Sequence, residues 1–420
     1  METYDVIVAG AGPAGSSAAA LLAEAGLRTL LLEEKRMPRD KVCGEFITPE
    51  SFPTLERLGL MELLFKAGAR DLTTATLFAE NGRSLSIPIS GLSGTRAALG
   101  LSRAALDQIM LSRARETGAE CIEGAAVKKC TFEGNIATGV EAMLLPAGRP
   151  AQFKASLVID ATGRGSRIMV TRDERRGGPR GSRLYAVKAH LQGVSGVEDR
   201  VELYFFRHGY GGLSGIEGGL ANLCFITSED TLRHCAGDTA KVAELSIMRN
   251  PAARARLAGA RPADKWLSVG PLTFGKRRIS MNGVIAIGDA AGMIDPFTGT
   301  GIQIALRSGE ILADSVISAL SAGPGGKIQP EENEAHSKVS KALEGLQGKL
   351  PAGVFERVLS RYRDAYDAEF GQRMWVAQIL RRAAFSAATG NVMGRALARA
   401  PGIGLRMMKA TRRWNKANQA

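Results

Sequence analysis

A glycine-rich turn near the amino terminus places the tightest constraint on what this 420-residue chain can fold into. The apolar run over 6–8 leads directly into the sequence G-A-G-P-A-G at 10–15, and an alanine- and leucine-rich segment follows over 16–25. A further apolar run occupies 29–32, so the order predicts a βαβ unit. Because such a turn presents free backbone N–H groups at a helix start, we expect it to bind the phosphates of a dinucleotide.

Each glycine of this turn has its own expected role. Gly10 allows the tight turn, Gly12 lets the backbone approach a pyrophosphate, and Gly15 lets helix and strand pack closely. Glu33 stands at the end of the second strand, where its carboxylate can accept hydrogen bonds from both ribose hydroxyls. A plain glycine turn is the alternative, and a carboxylate at this spacing argues against it.

The segment 288–302 carries a second signal, again between a strand and a helix. It contains G-D-A-A-G at 288–292, Asp295-Pro296, and G-T-G-I at 299–302. Asp289 can bind a ribityl hydroxyl, and small residues at a helix start can approach a pyrophosphate and the isoalloxazine edge. Together the two signals favour noncovalently bound FAD over NAD, although the second segment alone is also typical of a tight turn.

Three further motifs carry a family resemblance. They are P-R-D-K-V-C-G-E at 38–45, S-R-A-A-L-D at 102–107 and V-I-D-A-T-G-R at 158–164. With these motifs the sequence resembles the geranylgeranyl reductase-like branch of the p-hydroxybenzoate hydroxylase superfamily of flavoproteins over most of residues 1–320. The resemblance implies that FAD contacts Ala14, Glu33, Cys43, Gly44, Phe46, Arg103, Val127, Asp289, Gly301 and Ile302. The motifs themselves add Gly10, Gly12, Gly15, Asp160, Gly288 and Gly299 to this predicted cofactor-binding set.

The resemblance also implies the reaction. Related halogenases carry W-x-W-x-I-P, which is absent here, and Gly292 stands where aromatic hydroxylases usually have histidine. We therefore expect reduced FAD to deliver hydride to a carbon–carbon double bond of a lipophilic, isoprenoid or polyketide-like substrate. A flavin-dependent monooxygenase and a non-catalytic flavin-binding scaffold remain as alternatives, because one fold serves several chemistries.

Cys43 is the candidate catalytic residue, and two interpretations of it stay open. Cysteine is commonly a small buried apolar residue. Alternatively, Cys43 lies near the flavin and close to Lys41, where a cation would lower its thiol pKa and let it act as a proton donor or redox partner. Lys41 and Arg39 are equally consistent with a solvated loop and with phosphate contacts.

The pattern along the chain predicts an α/β fold. We expect a Rossmann-type FAD-binding domain from 1–74, 100–170 and 272–325, and an inserted antiparallel β-sheet substrate domain from 75–99 and 171–271. A basic, helical carboxyl-terminal region should follow over 331–420. The glycine-rich stretch at 209–219 opens no helix, so we interpret it as a hairpin rather than a second nucleotide loop. Since no dedicated NAD(P)H domain is visible, NAD(P)H or a reduced electron carrier should act as a transient donor.

Charge and composition indicate the partners. The formal net charge is +13, and ten basic residues but no acidic one follow Glu369. Such a tail favours an anionic membrane surface or an acidic electron-donor protein, and no nucleic-acid-binding motif is present. Five scattered cysteines and four dispersed histidines predict neither disulfides nor a metal site. We see neither a secretion signal nor a membrane-spanning segment, so we expect a cytoplasmic protein, with peripheral membrane contact as an open alternative.

Overall fold

The structure is a computed structural model, in which residues 2–90, 97–166, 168–169, 183–321 and 353–385 are described. In chain order its strands and helices are β1 (Thr3–Ala9), α1 (Pro13–Glu24), β2 (Thr29–Glu33), β3 (Phe46–Ile47), α2 (Phe52–Arg57), α3 (Met61–Lys66), β4 (Arg70–Leu72), β5 (Thr74–Phe78), β6 (Ser84–Pro88), β7 (Ala98–Gly100), α4 (Arg103–Glu116), β8 (Glu120–Glu123), β9 (Ala125–Glu133), β10 (Ile136–Leu144), β11 (Arg149–Asp160), β12 (Leu184–Gln192), β13 (Arg200–Phe206), β14 (Gly209–Gly215), β15 (Ala221–Ser228), α5 (Glu229–His234), α6 (Thr239–Leu245), α7 (Pro251–Arg256), β16 (Arg261–Pro262), β17 (Leu267–Val269), β18 (Gly275–Lys276), β19 (Ser280–Met281), β20 (Val284–Ala286), β21 (Gly292–Met293), α8 (Gly301–Ser321), α9 (Val354–Tyr366), the π-helical turn Asp367–Gly371 and α10 (Gln372–Phe385).

The first large sheet has the strand order β19-β20-β11-β1-β2-β8, with β10 and β9 attached beside β11. Strand β1 lies at its centre and pairs in parallel with β11 and β2, while β20 and β8 extend the parallel part outward. The predicted βαβ unit is therefore confirmed. Helix α1 begins at Pro13 rather than at residue 16, because proline suits the first helical turn and Gly12 is the residue before it.

Helices α1 and α8 cross in close contact against this sheet. A methyl group added at Gly309 of α8 would lie 2.4 Å from the carbonyl oxygen of Ala14 in α1. The helices and the sheet share one apolar core, which also receives Val358 and Tyr362 of α9. The amino-terminal end of α8 is thereby fixed relative to the glycine turn that begins α1.

The second large sheet has the order β16-β12-β15-β14-β13-β5-β6, with β17 also paired to β12. The dipeptide Asn81-Gly82 is a favoured hairpin turn and predicts a hairpin at this place, which the structure confirms as β5 and β6. The glycine-rich stretch at 209–219 forms part of the β14–β15 hairpin. One pair departs from the expected antiparallel pattern, since β13 and β5 run parallel. These two strands come from distant parts of the chain, so no tight turn dictates their relative direction.

The two faces of the second sheet have different surroundings. One face packs with α6, α7 and the short turn between them around an apolar cluster that includes Val187, Phe225 and Val242. The opposite face carries a smaller cluster of Ala186, Tyr210, Ile226 and Leu272. Val42 and Phe297 pack against this smaller cluster from segments beside the first sheet, so it lies where the two large sheets meet.

The carboxyl-terminal helices return to the first sheet. Tyr362 of α9 donates a hydrogen bond to the carbonyl oxygen of Ala286 on β20, at 2.9 Å. Helix α10 follows the π-helical turn and ends the described part of the chain. The remainder of the predicted basic helical region, 331–352 and 386–420, lies outside the described residues. In the described ranges, no helix has the length and apolar character needed to cross a bilayer.

Candidate functional site

The glycine turn between β1 and α1 has the geometry that its sequence predicts. Gly10 has φ +105°, and a methyl group there would lie 2.5 Å from the carbonyl oxygen of Ala161. At Gly15 an added methyl would lie 1.9 Å from the carbonyl oxygen of Gly10. Gly12 is different, because the nearest atoms to its added methyl are guanidinium nitrogens of Arg103 at 3.7 Å and Arg39 at 4.0 Å. The turn is thus closed by backbone on its inner side and faced by two cations on its outer side.

Glu33 lies at the base of this turn. One of its carboxylate oxygens accepts a hydrogen bond from the backbone N–H of Ala11 at 2.8 Å, and the other accepts from Lys35 N–H at 3.0 Å. The Nε atom of Arg39 is 3.4 Å from the same second oxygen. The side chain therefore fixes the turn and stands next to it, as the predicted ribose contact requires.

Arg103 begins α4, where the hydroxyl of Ser102 caps the helix by accepting a hydrogen bond from Ala105 N–H. Its guanidinium binds the carboxylate of Asp107 with two hydrogen bonds of 2.8 and 2.7 Å, and both side chains are buried. Arg39 reaches the same carboxylate at 3.1 Å. Burial by itself lowers the pKa of Arg103, but the charge of Asp107 and its hydrogen bonds to the guanidinium outweigh it and raise the pKa. Arg103 is thus a firmly oriented cation in front of Gly12.

Lys41 adds a further positive charge to this region. Burial and the neighbouring charge of Arg103 lower its pKa, although Asp289 and Asp107 oppose the shift. Its Nζ atom is 3.5 Å from the position of a methyl group at Gly163. Arg164, the next residue, also has a lowered pKa because of burial, with Asp289 opposing. Cations crowded in this way favour a bound anion, and a diphosphate matches their placement around an open glycine turn.

The 288–302 segment approaches the start of α1. Gly288 has φ +59°, and its added methyl would lie 2.9 Å from the Cβ of Ala14. Gly299 has a left-handed backbone conformation and lies just before α8. A methyl group added at Gly301 would have no neighbouring atom within 4 Å. Gly44 on the 38–45 loop has the same open surroundings. Open glycines, a helix start and the cation cluster together fit the diphosphate and ring of FAD.

Some predicted site residues have their side chains engaged elsewhere. The buried carboxylate of Asp160 accepts hydrogen bonds from the backbone and hydroxyl of Thr162 and from the hydroxyl of Ser166, so it shapes the turn after β11. Phe46 packs in an apolar cluster with Leu72 and Val201. Two more predicted site residues, Val127 on β9 and Ile302 on α8, are buried in the apolar core of the first sheet.

Cys43 is half-buried and lies beside a cation, but that cation is Arg103. The sulfur of Cys43 accepts a hydrogen bond from the backbone N–H of Glu45 at 3.4 Å. The carbonyl oxygen of Cys43 accepts a hydrogen bond from the side chain of Asn222 on β15, at 3.1 Å. The cysteine therefore bridges the glycine-turn region and the second sheet.

A buried ionic network next to Cys43 was missed by the sequence reasoning. Glu45 is fully buried and contacts Lys188 at 2.6 Å and His190 at 2.7 Å. The second ring nitrogen of His190 is 2.9 Å from the carboxylate of Asp264. Lys188 and His190 alternate with apolar residues along β12, and this pattern of charge within a buried strand is the signal that could have revealed them.

The same histidine belongs to the one candidate metal-ligand group found among the described residues. Ligand atoms of Asp40, His190 and Asp264 lie within 4.8 Å of one another. Both ring nitrogens of His190 already face carboxylates at hydrogen-bonding distance. We assign no metal to this group.

A second buried network joins the 288–302 segment to the carboxyl-terminal helix. The hydroxyl of Tyr210 on β14 donates to the carboxylate of Asp295 and accepts from the backbone N–H of Phe297 at 3.1 Å. Arg381 of α10 lies 3.3 Å from the other carboxylate oxygen. Burial raises the pKa of Asp295, while Tyr210 and Arg381 oppose the shift. Helix α10 is thus connected to the sheet junction by charge.

Comparison with known proteins agrees with this geometry. Residues 3–344 match a family model described as an FAD binding domain. The chain belongs to this FAD-binding family. Membership places it among FAD-dependent oxidoreductases, and its fold is that of p-hydroxybenzoate hydroxylase-type proteins.

Proteins similar to this chain are named for different activities. Digeranylgeranylglycerophospholipid reductase 2 of Methanopyrus kandleri is 27% identical over 88% of this chain and 83% of its own length. Menaquinone reductase of Mycolicibacterium smegmatis is 27% identical over 75% of this chain and 76% of its own length. A flavin-dependent brominase of known structure superposes with a TM-score of 0.70 at 19% identity, covering 97% of this chain and 93% of the brominase. The brominase shares the fold.

Proposed function

We propose that this protein reduces a carbon–carbon double bond of a lipophilic, isoprenoid or polyketide-like substrate, using FAD as the hydride donor. The observation that carries the proposal is the apolar cluster at the junction of the two sheets. Ala186, Ile226 and Leu272 face Val42 and Phe297 there, beside the loop that holds Cys43 and Gly44. A hydrocarbon chain that entered this junction would meet apolar side chains, and apolar groups gain from leaving water.

The relatives support the same reaction class. The two curated relatives described above are named as reductases of a lipid and of a quinone, and each aligns over three quarters or more of this chain. The brominase is less similar in sequence, and the halogenase motif W-x-W-x-I-P is missing here. We therefore favour reduction over halogenation.

In this proposal the first sheet holds the cofactor. Arg39, Lys41 and Arg103, with the open backbone at Gly12, hold the diphosphate, and Glu33 binds the ribose. Asp289 and the start of α8 at Gly301 hold the ribityl chain and the ring edge. Reduced FAD supplies a hydride, and the protein orients the substrate and shields it from water. Further proposed contacts come from Gly10, Ala14, Gly15, Cys43, Gly44, Phe46, Val127, Asp160, Gly288, Gly299 and Ile302.

The second sheet, with residues 75–99 and 171–271, forms the substrate domain in this proposal. Its face at the junction provides apolar contacts from Ala186 and Ile226 and the ring of Tyr210. We further propose that NAD(P)H or a reduced carrier protein delivers electrons transiently. The formal charge of +13 favours an acidic carrier, because opposite charges accelerate association.

One reaction with chemically reduced, FAD-loaded protein tests the proposal. The substrates are a menaquinone and a geranylgeranylated lipid in detergent. Each is incubated in two separate reactions, one without oxygen and one in air with bromide. A product formed without oxygen that stays about 2 Da heavier after any quinol has been reoxidised to quinone is expected from hydride and proton addition to a carbon–carbon double bond. Oxidised FAD-loaded protein without reductant is the control.

Other outcomes favour the alternatives. Oxygen or bromine incorporation only in air would replace reduction with hydroxylation or halogenation. A flavin that neither NAD(P)H nor a reduced ferredoxin-type carrier reduces within minutes, and that no substrate reoxidises, would indicate the non-catalytic scaffold.

A further inference from the structure

A chain of four ionisable side chains leads from the protein surface to the Cys43 loop. Asp264 is its outer member, with a side chain 31% exposed. His190, Glu45 and Lys188 follow inward, with side chains 8%, 0% and 1% exposed. The three contacts that join them are 2.9, 2.7 and 2.6 Å long, so neighbouring members are in direct hydrogen-bond contact.

The inner end of this chain lies at the predicted cofactor site. Glu45 accepts a hydrogen bond from the backbone N–H of Arg103 at 2.8 Å, and Arg103 stands in front of Gly12. The Nζ atom of Lys188 also donates to the carbonyl oxygen of Lys41 at 3.3 Å. An ammonium group has three N–H donors, and the contacts with Glu45 and Lys41 account for two of them.

His190 has the arrangement of a proton carrier. Its Nε2 faces Glu45, and its Nδ1 faces Asp264. Only the imidazolium form donates hydrogen bonds to both carboxylates, because a neutral ring has one nitrogen without hydrogen. Burial lowers the pKa of His190 and Lys188 lowers it further, but Glu45 and Asp264 outweigh them and raise it. Asp40 is the other acidic group nearby. The ring therefore stores a proton that its partners can exchange.

We propose that Asp264, His190, Glu45 and Lys188 conduct protons from solvent to the FAD site. In alkene reduction, which rests on the proposed function, FADH⁻ gives hydride to one carbon and Lys188 gives a proton to the other. Lys188 regains its proton from Glu45, Glu45 from His190, and His190 from solvent through Asp264. The sum is alkene plus FADH⁻ plus one solvent proton, yielding alkane and oxidised FAD.

The path can be tested without any organic substrate. Reduced methyl viologen transfers electrons but no protons, so reduction of bound FAD to FADH⁻ must take one proton from solvent. Stopped-flow absorbance follows the flavin, and phenol red follows proton uptake. In the wild type we expect the two signals to coincide. In His190→Gln the proton uptake should lag by about 100-fold, the scale of a lost acid–base group. Exposed His234→Gln is the matched control and should behave as the wild type.

A second variant keeps the test decisive if His190→Gln does not fold. Asp264→Asn changes only the partly exposed outer member, and we expect slower uptake that soluble imidazole restores. A merely structural role of Asp264 would give no such rescue. Uptake as fast as in the wild type in both variants would overturn the path. Loss of uptake on adding EDTA to the wild type would also overturn it, since a metal would then occupy His190. Because no alkene is present, these outcomes are independent of the proposed reductase activity.

Discussion

The backbone N–H of Ala11 and the carboxylate of Glu33 are joined by a hydrogen bond of 2.8 Å across the first βα turn. This contact connects the end of β2 to the middle of the glycine turn. The turn therefore keeps its shape through a side chain as well as through its own backbone. Gly12, the next residue, stays open toward Arg39 and Arg103.

Substitution of two glycines in this turn should separate binding from folding. Gly12→Val fits the local backbone but places a branched side chain among the cations, so we expect a large loss of FAD affinity with a nearly unchanged melting temperature of the apoprotein. Gly10→Val forces a Cβ to within 2.5 Å of Ala161 oxygen at φ +105°, so it should destabilise the fold. Flavin fluorescence titration and thermal unfolding measure the two effects. Wild-type FAD affinity in Gly12→Val would contradict the assignment of the turn.

Cys43→Ser should keep FAD bound but change turnover or product distribution. The Cys43 sulfur accepts a hydrogen bond from the backbone N–H of Glu45, whose carboxylate accepts from the N–H of Arg103 in front of the glycine turn, so its replacement alters the environment of the cofactor. Cys121→Ser is the control, because Cys121 is also half-buried but lies on β8. Steady-state kinetics and product analysis on several substrates provide the measurement. Identical behaviour of both variants and the wild type would favour a packing role for Cys43.

The contribution of His190 to stability should depend on pH. Its pKa is raised in the folded state above the ordinary value of 6.5. The added stability is therefore fully present below 6.5 and is lost as pH rises through the folded-state pKa. Urea unfolding of the wild type and His190→Gln between about pH 6 and pH 9 should show a difference that shrinks with rising pH. A difference for His190→Gln that does not change with pH would contradict the prediction.

Arg381→Gln should loosen the last described helix. The variant loses the ion pair with Asp295 and the contact of the guanidinium with the ring of Phe274, at 4.2 Å. We expect a cost of about 1 kcal/mol, because Arg381 is partly exposed, and faster hydrogen exchange in α10. Arg363→Gln, at an exposed position of α9, is the control. Equal exchange rates in the two variants would show that Arg381 does not hold the helix.

The carboxyl-terminal region is proposed to dock on an anionic membrane. Trp375 and Ile379 lie one turn apart on α10 and are 64% and 43% exposed, and the tail beyond Glu369 carries only basic charges. Pelleting with anionic vesicles should be salt-sensitive and should fall in the double variant Trp375→Ala, Ile379→Ala. The control is Phe132→Ala, Ile136→Ala, which removes exposed apolar groups on the β9–β10 hairpin. Equal recovery in the supernatant with anionic and neutral vesicles would contradict docking.

Local patterns predicted much of this fold. The βαβ unit and the β5–β6 hairpin depend on residues that are close together in sequence. In the glycine turn, the close backbone approaches at Gly10 and Gly15 leave few possible backbone conformations. The parallel pairing of β13 with β5 was not predictable, since the two strands are more than a hundred residues apart and only tertiary packing brings them together. A single sequence contains no direct signal for such pairs.

The candidate site was predicted unevenly for the same reason. The contacts of Gly12 and Glu33 follow from one motif, whereas the contacts of Glu45 with Lys188 and His190 join segments about 145 residues apart. The sequence could indicate that Lys188 and His190 lie on one face of β12, but it could not indicate that Glu45 is their partner. Asp160 was predicted from a motif to contact FAD, but its carboxylate accepts a hydrogen bond from Thr162 in the turn that follows it.

The parallel β5–β13 pair has a consequence for exchanging parts between proteins. The second sheet is built from two separate stretches of chain, with β5 and β6 lying between β2 and β8 of the first sheet and β12 to β17 lying between β11 and β19. Grafting only the longer stretch into another FAD-binding chain would leave the edge of β13 with a row of unpaired N–H and C=O groups. Such a chimaera would expose a strand edge that can pair with other chains and aggregate. Both stretches of the second sheet therefore have to be transferred together when substrate specificity is exchanged in this architecture.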